Sequence, residues 1–484
     1  VSKTKIIYKD VAVGAAEDAS VSASGAMAGS VPSKLPDGVS PPPIITLERN
    51  AWRLNGRYRA RGSHTLAFWS STLSGEDCMF QASPVITIDF DQQYSSTGIT
   101  LFFDTATGDH CALVNVKWYQ GTSLKADVDF EPDSAEYFCR QTVTSYNRVV
   151  VTLKKTSLPY RRAKLDRIMF GVHRSFGMTE IRNASIISDM DLLSAELPVS
   201  TSKWTLDSQE DVEYMFQFKQ PVETWNDDAL ICVHYINNSK RTAGGLYDVS
   251  CHDAFGVLDE TPFPGGVYSG KSAKALLEEI LGGDFILDCQ AEDTALTGVI
   301  RSGTKRGAVQ QVLFAWGVCA STFGTEKIRV FSPSSAPTEI GRDRTFPGAS
   351  VDTAAIVTKV TVTAHTYVQD SNGGVEIDGV KYKDTETVYT VVNPNVTAAD
   401  KQNVVEVTGA TLVSTSIGQS VAQRVYDYYA RRSTHKAKIV WRGDRLGDCV
   451  TVPNSWGGTV TGNLTRMEVS LSNTVVANCE TVGV

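Results

Sequence analysis

The sequence predicts a mainly β, multidomain chain with a small helical subdomain. Short runs of apolar residues at alternate positions recur over most of its length, and helix signals are confined to a few stretches. At 484 residues it also exceeds a single core, so two or three domains of roughly 100–200 residues are expected. Hydrophobic residues at 42% and charged residues at 21% are globular proportions, which leaves disorder only a local place.

Residues 1–43 read as an extended N-terminal arm or linker. Positions 11–43 are dominated by Ala, Ser, Gly, Val and Pro and end in Ser40, Pro41, Pro42 and Pro43, a composition that buries little surface but can wrap a neighbour. Over 44–190 the apolar residues alternate: Ile86, Ile88, Phe90; Ile99, Leu101, Phe103; Val114, Val116, Trp118; Val149, Val151, Leu153. A period of two with turn residues between the runs predicts an antiparallel β-sandwich. Further short strands are expected over 191–258, through Tyr214, Phe216, Phe218 and Ile231, Val233, Tyr235.

The helical subdomain is predicted over 259–335. Ser272 can cap a helix with Ala273, Leu276, Leu277, Ile280 and Leu281 on one face, stopped at Gly282 and Gly283. Thr304 can cap a second, with Ala308, Val309, Val312, Leu313 and Trp316, ended near Gly317. Strand pattern resumes over 336–484, interrupted by a helix from Gln419 to Arg432 with Val421, Val425 and Tyr428 on one side. The closing stretch from Gly443 to Leu471 reads as barrel strands.

Charge and cysteine use narrow the function. With 46 Lys+Arg against 54 Asp+Glu the net charge is −8, so no basic footprint supports tight binding to nucleic acid or an anionic membrane. The nine scattered cysteines contain no Cys-x-x-Cys pair, which points to reduced, mostly buried thiols. No apolar stretch of about 18 residues occurs and the N-terminus has no apolar leader core. Release by lysis or inside a particle is therefore expected.

Four segments resemble the tail-tip and baseplate hub proteins of phages and prophage-derived particles, especially of Gram-positive hosts. They are Thr46 to Gly56 with Phe68 to Ser74; Pro159 to Leu165 with Ile168 and Gly171; Tyr247 to Leu258 running into Phe263 to Tyr268 and the capped helix; and Arg306 to Trp316 followed by Lys327 to Phe331. The resemblance implies that 44–190 is a jelly-roll-like sandwich of carbohydrate-binding shape, and that 191–258 and 336–484 are two hub barrels flanking the helical insertion. It further implies a homotrimeric ring whose paired barrels meet a hexameric tube. Expected partners are the tail tube or distal tail protein, spike, fibre or tape-measure proteins, and DNA only in transit. The expected location is the virion, after synthesis in the host cytoplasm. No cofactor is implied, and no enzymatic activity. Many such hubs carry a peptidase or fibre extension, and a fused cell-wall hydrolase is not expected here.

The catalytic and ligand motifs in the sequence each have a simpler reading. Gly265 to Ser272 spells a phosphate-binding loop and opens a helix, but Pro262 and Pro264 spoil the buried strand such a loop must leave, so a turn and helix cap are expected. Asp127, Asp129, Glu131 and Asp133 alternate like the start of a calcium loop, yet Pro132 and Phe138 stand where Gly and Glu are needed. Cys251, His252 and Asp253 carry nucleophile chemistry in their letters, but strand neighbours face opposite ways. No H-E-x-x-H and no G-x-S-x-G occur.

An alternative function is host-surface carbohydrate binding by the sandwich. Trp69, Trp118 and Tyr119 would stack on sugar rings. The basic knot of Arg161, Arg162, Lys164 and Arg167 could meet a polysaccharide or an acidic partner, but a solvated charged turn is the default reading.

Overall fold

A computed structural model describes residues 4–36, 46–48, 51–57, 67–105, 107–208, 215–397, 401–471 and 474–483. The chain folds as two units, a smaller one of residues 8–174 and 210–220 and a larger one of 1–7, 175–209 and 221–484. Mainly β character is observed in both.

In the smaller unit one seven-stranded sheet runs in the order Phe68–Trp69, Lys164–Met169, Val85–Phe103, Glu136–Thr156, Cys111–Gln120, Ser123–Phe130, with Ser20–Ser24 beside Val85–Phe103. Two of these strands are unusually long, at 19 and 21 residues. Their pairing breaks register between Asp89 and Gly98, so Ile86 faces Val151 on one side of the break and Ile99 faces Cys139 on the other. Bulges of this kind bend a strand and let its two halves pair differently. At the bend Gly98 has φ of 146°, and a Cβ there would sit 2.2 Å from the Cys139 carbonyl oxygen. Only glycine allows that approach. All twelve alternating residues predicted above are buried, and they pack in one cluster.

The predicted arm requires correction over its described part. Thr4–Val11 is a strand with Ile6 and Tyr8 buried, helix α1 covers Ala15–Asp18, and Ser20–Ser24 pairs with Val85 to Asp89. Ala15 and Leu35 are fully buried in the smaller unit's core. Backbone hydrogen bonds, which need no bulky side chain, anchor this segment. Residues 1–3 and 37–43 of the expected arm lie outside the described residues.

In the larger unit, strands from both regions expected to form hub barrels share one sheet. Its order runs Ser350–Thr353, Ser433–Val440, Val476–Gly483, Thr459–Ser470, Ile181–Asp189, Thr201–Asp207, Leu246–His252, Ala229–Ala243, Pro221–Asn226. The two regions are joined through Ile181–Asp189, which the sequence places in the sandwich: it pairs antiparallel with Thr459–Ser470, Ile187 opposite Glu468, and with Thr201–Asp207 on its other side. A separate four-stranded sheet consists of Val375–Ile377, Val380–Val392, Lys359–Gln369 and Val404–Val407.

The helices follow the sequence closely. Helix α2 spans Ala254–Asp259, α3 Ala273–Leu281, α4 Lys305–Trp316 and α5 Gly418–Ala430. Ser272 and Thr304 cap α3 and α4 through their hydroxyls, and Gly282 and Gly317 end them in the left-handed conformation. The expected apolar face of α3 is buried, as are Ala308, Val309, Val312 and Leu313 of α4. Their core extends beyond 335, to Val360, Val362, Val421 and Val425. Helical insertion and later strands thus share one interior.

Candidate functional site

The residues singled out for surface recognition lie around a buried cluster of charge. Trp118 is 0% exposed and Trp69 4%, so neither ring can stack on a sugar, and the expectation is corrected for both. The reason is strand parity: Trp118 shares the inward face of Val114 and Val116. Tyr119 points the other way and is half-buried.

The basic knot is also no solvated turn. Lys164, 2% exposed, places Nζ 2.9 Å from Glu48 Oε1, 2.8 Å from Asp109 Oδ2 and 3.9 Å from Asp104 Oδ2. Arg161 Nε lies 3.6 Å from Asp109 Oδ2. The Arg162 backbone N–H donates to Glu48 Oε1 at 3.0 Å, its Nε to Thr46 Oγ1 at 3.2 Å and its Nη1 to the Ser70 carbonyl at 2.5 Å. Thr46 and Thr107 donate to Glu48 and Asp104. The Lys164 ammonium also lies 5.4 Å from the Trp69 ring centre. Arg167 stands apart, over the ring of Phe102. Three carboxylates and three cations meet here within one interior, which is the arrangement that makes buried charge tolerable. Its chemistry is fastening: it ties 46–48, the turn at 104–109 and the strand entered at Arg162 together.

The phosphate-loop spelling resolves into a ladder and a cap. Gly266–Ser272 pairs antiparallel with Ala295–Ile300. At the start of α3 the Asp293 carboxylate already accepts from the Ser272 hydroxyl, from Lys274 N at 3.1 Å and from Thr294 N at 2.9 Å. Those bonds, the Ser272 hydroxyl foremost, hold its carboxyl below the usual range. An anion therefore stands where a phosphate would dock, and Lys271 pairs with Glu279. Ser272→Ala should destabilise the chain by about 1 kcal/mol in thermal or urea unfolding. Millimolar ATP should give no saturable heat that Lys271→Ala abolishes.

The remaining motifs are also structural. Asp127 and Asp129 share Asn115 Nδ2 at 2.7 and 2.9 Å and face Lys117 at 3.0 Å and Lys154 at 2.7 Å. Lysines occupy the positions around these acids that a calcium ion would need. Cys251 lies within strand Leu246–His252, where burial pushes its thiol up to about 12. Asp253 caps α2 by accepting from Gly256 N at 3.2 Å and takes a further bond from Thr322 Oγ1 at 2.8 Å. All nine cysteines are free, seven of them buried.

Sequence reading missed a second polar group, in the four-stranded sheet. His365 sits opposite Glu386 and next to the register pair Tyr367 and Asp384. The ligand atoms of His365, Asp384 and Glu386 all lie within 4.8 Å of one another. Spacing gives no short motif here, since a hairpin rather than a helix turn unites them.

No family model matches the chain, and no curated protein matches it. Among solved structures it is similar to a tail protein from Neisseria meningitidis MC58, at 12% identity and TM-score 0.46, over 64% of this chain and 93% of that one. It is similar to the 43 kDa tail protein of prophage MuSo2 from Shewanella oneidensis, at 9% identity and TM-score 0.44, over 64% and 95%. Prophage tail protein gp18 from Listeria monocytogenes EGD-e is similar at 9% identity and TM-score 0.42, over 63% and 91%.

Proposed function

We propose that the chain is a structural component of a phage tail tip or baseplate. Its role is a trimeric hub that joins the tail tube or distal tail protein to spike, fibre or tape-measure proteins. One observation supports this reading above others: the segments that resemble tail hubs pair off within the fold, two in each unit. The first two meet in the ion cluster, where Thr46, Glu48 and Trp69 contact Arg162 and Lys164. The third and fourth share one core, in which Phe255, Leu258 and Leu276 pack with Val309, Leu313 and Val330. The resemblance therefore falls on residues that make the fold rather than on incidental surface.

A connecting part works through its surfaces, and no catalysis of its own is part of the proposal. Burial of Trp69 and Trp118 removes the two strongest sugar-stacking candidates, which favours assembly over glycan recognition. The test is to mix the purified chain with the tail-tube protein of the same particle and weigh the product by light scattering, with electron microscopy of the result. Three copies capping each tube end are expected. A chain that stays monomeric and leaves tube ends bare would sink the hub.

A further inference from the structure

We infer that His365, Asp384 and Glu386 form a binding site for a divalent transition-metal ion of the zinc class. The hydrogen bonding of His365 carries the argument. Its Nε2 lies 3.2 Å from the Thr408 carbonyl oxygen and Nδ1 2.9 Å from Asp384 Oδ2. A carbonyl can only accept, so Nε2 carries the proton toward it. In the neutral ring this leaves the Nδ1 lone pair aimed at a carboxylate, two acceptors face to face. A cation between them removes the conflict, and a ligating histidine whose other nitrogen donates to a backbone carbonyl is the usual outer arrangement of such sites.

Two further observations point the same way. Asp384 Oδ1 is shielded from solvent, and the Tyr367 hydroxyl hydrogen-bonds this carboxylate, steadying it beside the ring as an outer partner steadies a metal ligand. His365 and Glu386 also line a cavity of about 340 Å³, together with Arg301, Thr304, Gln311 and Thr408. The imidazole is 5% exposed and stacked on Tyr367 at 5.9 Å between ring centres, which fixes its direction. One nitrogen and two carboxylates suit zinc, manganese or nickel better than calcium, which takes oxygen ligands alone. Three protein donors leave coordination positions that open into the cavity.

The alternative is a protonated imidazole, with no metal. Calorimetric titration of the full chain with zinc chloride under reducing conditions separates the two, run beside Glu386→Gln and Asp384→Asn. Glu386 is exposed, so its replacement leaves the fold intact, and circular dichroism of each variant checks this. The free cysteines make a background common to all three proteins. The wild type should bind one more zinc ion per chain than either variant, or bind it at least 10-fold more tightly. Equal stoichiometry and affinity in wild type and Glu386→Gln would overturn the site.

Discussion

Lys164→Met is expected to destabilise the unit of residues 8–174 by about 3–5 kcal/mol, the cost of breaking a buried ion pair from one side. Methionine fills similar volume, so lost packing is a minor part. The charge is the larger part: Glu48 loses a cation 2.9 Å away and Asp109 one at 2.8 Å, with both carboxylates shielded from water. Arg161 at 3.6 Å from Asp109 offsets only part of this. Urea unfolding of wild type and variant reads the difference. A triple variant, Lys164→Met with Glu48→Gln and Asp109→Asn, should recover part of the loss, because neutral amides no longer need the ammonium. A loss under about 1 kcal/mol for Lys164→Met would mean that the cluster is hydrated and does not fasten the fold.

The same cluster shows where sequence reasoning stops. Alternation made the strands legible, because a sheet with one dry face imposes period two on residues such as Ile86, Ile88, Val149 and Val151. Capping made α3 and α4 legible, because Ser272, Thr304, Gly282 and Gly317 act within a single turn. The basic knot reads as solvated in sequence because its acids are remote, Asp109 being 55 positions from Lys164 and Glu48 114 from Arg162. Trp118 held its answer in the sequence: it shares parity with Val114 and Val116 and had to be buried with them. The small residues of 15–24 gave no signal, since an edge strand joined by backbone hydrogen bonds needs no bulk. His365, Asp384 and Glu386 meet only through hairpin register, which the sequence does not specify.

The larger unit is expected to hide two opposed pH dependences of stability, which a single substitution exposes. His234 is 2% exposed, with Nδ1 2.8 Å from Ser202 Oγ, and burial, aided by nearby His252, pushes it down from 6.5 to about 3. Asp253 is 0% exposed, and burial raises it from 3.8 to about 6 despite the bonds from Thr322 and Gly256. Between pH 6.5 and 3 the unfolded chain holds a proton on His234 that the folded chain does not. This contribution is therefore complete above 6.5 and is lost as pH falls. Between 3.8 and 6 the folded chain holds the extra proton on Asp253, a contribution complete below 3.8 and lost as pH rises through 6. Each slope is about 1.4 kcal/mol per pH unit, with opposite sign, so from about pH 4 to 6 they cancel. His234→Gln keeps a bond to Ser202 and removes one slope. Unfolding free energies of wild type and variant, measured at pH 4 and pH 6, should then diverge by about 3 kcal/mol, the wild type gaining on the variant as pH rises. Taking the difference removes every other titrating group, including His435, which burial also depresses. A difference that stays constant between the two pH values would show that His234 takes up its proton in the folded chain as readily as in the unfolded one.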